Sequence, residues 1–335
     1  MPFIIAELSA NHNQDLNLAK KTIHAVARSG ADAVKFQTYK PSCLTLESNL
    51  NYFKIKDGLW KDKTLWELYK EAYMPWEWHE ELYALAKSLG LVAFSSPFST
   101  EGVAFLEKLS NPIYKVASFE VGHTELLKAI AKTKKPVILS TGVCTKCELE
   151  NALKIFKNHE ITLLHCTSSY PATLKHSSLY KIKDLQASYP QVRVGLSDHT
   201  LGYAAPLVAM TLGASVIEKH FILDKSLGGV DSAFSMDERE FSEMVSVLKE
   251  ASLALKPDPK DIKSKEEKTK VGREFARSLF IASDAKKGEV ITKDHLACVR
   301  PNLGLDPLKL DSIIGKRFAK DVIKNHPLKD SDIQG

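Results

Sequence analysis

Two stretches of the chain, "RVGLSDHTLG" at 193–202 and "SVIEKHFILD" at 215–224, each end an apolar run in a histidine with an acid nearby. In an extended strand alternate side chains share a face, so Ser197 goes with His199 and Glu218 with His220. A lone histidine in such a place reads equally well as a hydrogen-bonded core residue. Two of them, on neighbouring strands beside carboxylates, point to a metal bound by His199 and His220 with several coordination positions left open. Imidazole with oxygen ligands does not choose among manganese, cobalt, iron and zinc. Lysines follow the same pattern: Lys35 shares a face with Gln37 in "VKFQT", and Lys115 lies in "YKVAS". Burying two lysines is unfavourable without an anionic partner. Converging with the strand-end hydroxyls of Ser96, Ser118, Ser140 and Ser197, they describe a phosphate or carboxylate site, with Glu7 and Glu120 as strand-end acids.

These residues need a scaffold that brings many strand ends to one place. Short β-branched or aromatic runs recur at 3–8, 33–38, 92–96, 114–118, 137–141, 161–167, 192–197 and 216–221. Helix-period segments lie between them, such as "DLNLAKKTIHAVARSG", which Gly30 would terminate. Nearly continuous apolar strands alternating with helices predict a parallel sheet buried on both faces. Eight such units over about 255 residues match a (β/α)8 TIM barrel, whose active site lies at the C-terminal strand ends; a doubly wound sheet is the competing architecture. The barrel is expected over 1–255, a polar linker over 256–277, and a small β-rich module over 278–335. Within that module "KKGEVITKDHL" (286–296) is weakly echoed by "IKNHPLKDSDI" (323–333). So short a module forms a marginal core alone and is expected to dock on its own barrel or a partner's.

The formal net charge of +5, spread over 46 basic and 41 acidic side chains, suits an anionic small molecule and shows no dense basic patch for nucleic acid. Five cysteines argue against a disulfide framework. Without a signal-like start or an apolar run long enough to span a bilayer, the expectation is a cytoplasmic protein that engages no membrane. The "CTKC" pair, Cys144 and Cys147, lacks a second pair and reads as incidental thiols, and Cys166 as core. The segment 58–82 holds all four tryptophans and reads as a lid, as a sugar platform or as plain helix packing.

The ordered motifs "AELSANHNQ", "VKFQT", "SSPF", "YKVASFE", "ILSTG", "HCTSSYP", "GLSDHT" and "IEKHF" resemble the phosphoenolpyruvate-dependent nonulosonic (sialic) acid synthases. "SLFIASDAKKGEVITKDHLACVRPNLGL" is similar to that family's antifreeze-like (SAF, β-clip) domain. The resemblance implies condensation of phosphoenolpyruvate with an open-chain amino sugar and release of phosphate. It assigns enolpyruvate contacts to Lys35, Ser96, Lys115, Ser118, Ser140 and Ser197, catalytic roles to Glu7 and Glu120, and sugar contacts to Gln37, Tyr170, Asp231 and Arg300. It makes His199 and His220 ligands of a divalent metal, manganese, with cobalt or magnesium as alternatives. Arg300 matches an arginine that the terminal domain inserts into a partner's barrel, which implies a domain-swapped homodimer. Ser168 stands where sialic and legionaminic relatives tend to carry Asn. "AELSANH", "GLW", "EWH" and "FARSL" are instead similar to the pseudaminic branch, whose acceptor is a 2,4-diacetamido-2,4,6-trideoxy hexose of L-altro configuration; the alternative acceptors are N-acetylmannosamine and the legionaminic precursor. A 6-deoxy sugar would meet an apolar wall, expected at Trp60 or Phe234.

Overall fold

The computed structural model describes residues 1–256 and 272–334. They belong to two compact units, Met1–Leu255 and Lys256–Gly335. Most of the stretch read as a polar linker lies outside the described residues.

The first unit holds eight strands: β1 (Phe3–Glu7), β2 (Ala33–Thr38), β3 (Val92–Pro97), β4 (Tyr114–Val116), β5 (Val137–Ser140), β6 (Ile161–Cys166), β7 (Arg193–Asp198) and β8 (Val216–His220). They pair in parallel in chain order, and β1 closes on β8, so the sheet is a barrel and the doubly wound alternative is excluded. Both faces of each strand are buried, which is why the strands read as unbroken apolar runs. Outward side chains such as Ile4, Val34, Phe36 and Val116 join the helices in the main core. Inward ones form layers. Ile5, Ala33, Phe94, Ile138, Leu164 and Val216 make an apolar floor. Two residues further along the same strands come Glu7, Lys35, Ser96, Ser140, Cys166 and Glu218. Gly195 is required by this packing: a Cβ there would fall 2.4 Å from the Val216 carbonyl oxygen and 2.7 Å from Leu164.

Helix α1 (Leu16–Arg28) is capped by Asp15 and followed by Gly30 at φ +82°. The β2–β3 connection is much longer than the others and carries α2 (Pro41–Leu44), α3 (Leu65–Ala72) and α4 (His79–Ser88). Trp76 and Trp78 serve packing there: Trp76 stacks on Phe105 with centroids 4.7 Å apart, and Trp78 meets the buried His12 ring edge-on.

In the second unit β9 (Ser278–Ile281) pairs antiparallel with β10 (Leu296–Val299) around a core of Leu279, Ile281, Ile291, Phe318 and Leu328. The sequence echo is a structural one. Gly288 and Asn325 both take positive φ, Ile291 and Leu328 are both fully buried, and each segment ends in a 3-10 turn, Lys293–His295 or Asp330–Asp332.

Candidate active site

The polar inner layer is an ion cluster. The Lys35 ammonium pairs with Glu7, its register neighbour on β1. Glu218 Oε1 lies 3.6 Å from Nζ of both Lys35 and Lys115 and accepts a hydrogen bond from Ser197 Oγ at 3.2 Å. Lys115 Nζ donates to Ser140 Oγ at 2.7 Å, and Gln37 donates to Glu7 Oε1 at 3.1 Å and to Ser9 Oγ at 3.0 Å. Ser96 Oγ and Glu218 Oε2 are buried without a hydrogen-bond partner. Six sequence-predicted residues, Glu7, Lys35, Gln37, Lys115, Ser140 and Ser197, therefore meet in one network, centred on Glu218, to which the sequence reading gave no role.

Burial opposes every charge in this cluster, and the partners decide the outcome. For Lys35 burial works against the ammonium, but Glu218 and Glu7 outweigh it and hold the pKa above the ordinary value. For Lys115 burial prevails over Glu218, and its pKa falls. Burial raises the Glu7 carboxyl despite Lys35, whereas the two lysines hold Glu218 low against the same burial. Glu7 is thus the carboxylate that more readily holds a proton.

Beside the cluster the His199 and His220 rings lie together, tilted by 56°, with centroids 5.3 Å apart. Burial drives His199 down to about 4 and His220 well below its usual value, so both are neutral imidazoles at physiological pH. His199 Nδ1 lies 3.2 Å from the Thr167 carbonyl oxygen, which places its proton there and leaves the Nε2 lone pair free. His220 Nδ1 is buried without a hydrogen-bond partner, 3.8 Å from Asp231 Oδ2. No group of three or more potential ligands clusters among the described residues. Two neutral imidazoles this close are the kind of donor that would hold a cation, and the rest of its shell would have to come from substrate or water.

Above this floor opens a cavity of about 460 Å³, lined by Gln37, Glu120, Tyr170, His220 and Asp231 among others. Burial pushes Glu120 up to about 7, against the pull of Lys115. Asp231 is hydrogen-bonded by Ser9 Oγ, and Tyr170 sits edge-on to His199 with centroids 4.6 Å apart. Ser118 Oγ and Ser168 Oγ are 2.8 Å apart, so the residue standing in for Asn touches a predicted enolpyruvate contact. Cys166 is buried in the layer above the apolar floor, its Sγ 3.9 Å from His199 Nδ1. Cys144 contacts the Thr141 carbonyl and Cys147 is exposed; both are free thiols. Arg300 belongs to the second unit, where it is exposed.

Of the two expected wall residues, Trp60 lines the cavity, its Nε1 donating to the Val230 carbonyl at 3.0 Å. Phe234 does not: it is 1% exposed and packs against the His220 ring at 4.9 Å, because the 3-10 turn Ser232–Phe234 aims it behind the imidazoles.

The NeuB family pattern matches residues 22–260 and that of the SAF domain residues 276–334. A pseudaminic acid synthase of Helicobacter pylori (strain ATCC 700392 / 26695) is 48% identical over 99% of this chain and 98% of its own length. An N,N'-diacetyllegionaminic acid synthase of Legionella pneumophila subsp. pneumophila is 36% identical over 96% of this chain and 91% of its own. Among solved structures, the N-acetylneuraminic acid (sialic acid) synthetase of Leptospira borgpetersenii serovar Hardjo-bovis, in complex with citrate, aligns with a TM-score of 0.71 at 31% identity, covering 82% of this chain and 93% of that one.

Proposed function

This chain belongs to the NeuB family, and on that premise we propose that it is a pseudaminic acid synthase, condensing phosphoenolpyruvate with 2,4-diacetamido-2,4,6-trideoxy-L-altrose to give pseudaminic acid and phosphate. The acceptor follows the greater similarity to the pseudaminic than to the legionaminic synthase. The chemistry rests on one observation: two buried lysines already balanced by Glu7 and Glu218 beneath an open cavity. Those carboxylates occupy the place an anionic substrate would take. When phosphoenolpyruvate enters, its phosphate and carboxylate replace them as partners of Lys35 and Lys115, with Ser96, Ser118, Ser140 and Ser197 donating to its oxygens.

Glu7, released from Lys35 and inclined to hold a proton, takes one from the water that adds at C2. Carbon C3 of the enol attacks C1 of the aldehyde, and Glu120, protonated near neutral pH, donates to the new hydroxyl oxygen. The tetrahedral adduct at C2 then loses phosphate with cleavage of its C–O bond. Gln37, Tyr170 and Asp231 hold the sugar. A divalent metal on His199 and His220, manganese with cobalt or magnesium as alternatives, would polarise the aldehyde oxygen when bound. Arg300 of a second protomer completes the site in a swapped homodimer.

Supplying phosphoenolpyruvate with each of three acceptors, and following phosphate release, tests this reading. The L-altro 6-deoxy sugar is expected to give a kcat/KM at least about tenfold above N-acetylmannosamine and the legionaminic precursor. Preference for either of the others would refute it.

A further inference from the structure

Helix α3 places Leu65, Leu68, Tyr69 and Ala72 at the i, i+3, i+4, i+7 spacing of one apolar face, and all four line the cavity. A surface helix ordinarily spends that stripe on the protein core. Here it faces a ligand space that is also lined by the polar side chains of Gln37, Glu120, His220 and Asp231. Both ends of the helix are fixed. Thr64 and Glu67 form a capping box at its start, and the Gln14 side chain donates to the Glu71 and Tyr73 carbonyls at its end. Trp60, just upstream, is tied to the Val230 carbonyl in the connection that follows β8. The apolar face is therefore held in place before any ligand arrives.

We propose that this face of α3 is the specificity wall that receives the C6 methyl end of the acceptor and selects 6-deoxy over 6-hydroxy sugars. The inference rests on the functional reading above. The reacting aldehyde carbon belongs at the polar side, beside Glu120 and His220, so the far end of an open-chain hexose runs toward the apolar side. A methyl group there gains apolar contact, whereas a hydroxyl would be buried against Leu65, Leu68 and Ala72 without a partner. Among these residues there is no donor or acceptor side chain except the Tyr69 phenol, which lies within electrostatic reach of Glu120.

The test compares wild-type protein with Leu68→Asn, Ala72→Ser and, on the opposite face of the helix, Lys70→Gln. Each is assayed for phosphate release with the 6-deoxy L-altro acceptor and with N-acetylmannosamine. Leu68→Asn is expected to lower kcat/KM for the 6-deoxy sugar about 10- to 100-fold through KM, and to narrow its preference over N-acetylmannosamine. The KM for phosphoenolpyruvate stays within about twofold, and Lys70→Gln changes nothing. If Leu68→Asn does not fold, as judged by circular dichroism, Ala72→Ser decides with an expected loss of about fivefold or more. A smaller effect in the deciding variant, or equal losses for both sugars, overturns the wall while leaving the functional reading in place. A wild-type protein that does not use the 6-deoxy sugar overturns that reading and the wall with it.

Discussion

Glu120 is half-buried with one carboxylate oxygen shut away from solvent, and that desolvation holds its proton to about pH 7. Two consequences follow at this residue. In its proposed role as proton donor to the new hydroxyl it must be neutral, so kcat/KM is expected to fall as pH rises through about 7. Glu120→Gln removes that inflection and lowers kcat about 100-fold or more. The second consequence concerns stability. Between the ordinary value of 4.5 and about 7 the folded protein holds a proton that the unfolded chain has lost. Stability therefore declines as pH rises through that window and is constant, from this source, above it. Denaturant midpoints should show Glu120→Gln gaining on wild type from pH 4.5 to 7. A difference that does not change with pH would refute the raised carboxyl. Glu120 is visible in the sequence as a strand-end acid, but its protonation is not, because the cause is burial by residues distant in the chain.

At the scale of elements, the tips of β7 and β8 are joined on their outer side by a second buried pair. Lys219 Nζ, fully buried, donates to Asp198 Oδ2 and to the Thr200 carbonyl, both at 2.5 Å. Asp198 in turn accepts from Thr200 N and Oγ1. The pair sits in register between strands whose inward neighbours are Ser197, Glu218 and the two imidazoles, so it fixes where those side chains point. Lys219→Met alone leaves a buried charge unpaired and is expected to cost about 3–5 kcal/mol in urea unfolding. Asp198→Asn with Lys219→Met should recover more than half of that loss; a double variant as unstable as the single one would count against the ion pair. Much at this scale is legible in the sequence. All eight strands are, since parallel strands buried on both faces carry a continuous apolar signal, and so is the repeat in the second unit, since Gly288 and Asn325 mark the same left-handed turn. The role of α3 is not. Leu65, Leu68, Tyr69 and Ala72 spell an amphipathic helix whether the stripe meets a core or a cavity. Glu218 likewise shows its inward face in the alternation with His220, but not the two lysines that three-dimensional closure brings to it.

At the scale of the whole molecule, both units leave apolar surface uncovered. Around the barrel mouth Phe119, Val143, Leu174, Leu201 and Leu227 are each about half exposed or more, one on each of five successive βα loops. In the second unit Leu303 and Leu308 are exposed, close in sequence to Arg300. Exposed apolar side chains at a loop face are what a subunit contact would cover, and in the proposed swapped homodimer the terminal domain would deliver the Arg300 guanidinium to the sugar in the neighbouring barrel. Subunit mixing separates this arrangement from one in which each chain completes its own site. Arg300→Ala and Lys35→Ala homodimers are each expected to be nearly inactive. When they are unfolded together and refolded at equal concentration, half of the dimers are mixed. In a mixed dimer one barrel keeps Lys35 and receives Arg300 from the neighbour, while the other lacks both. One site in two, in one dimer in two, is restored, so activity should return to about a quarter of wild type. If Arg300 served its own barrel, every site would lack one residue or the other, and the mixture would stay as inactive as its parents.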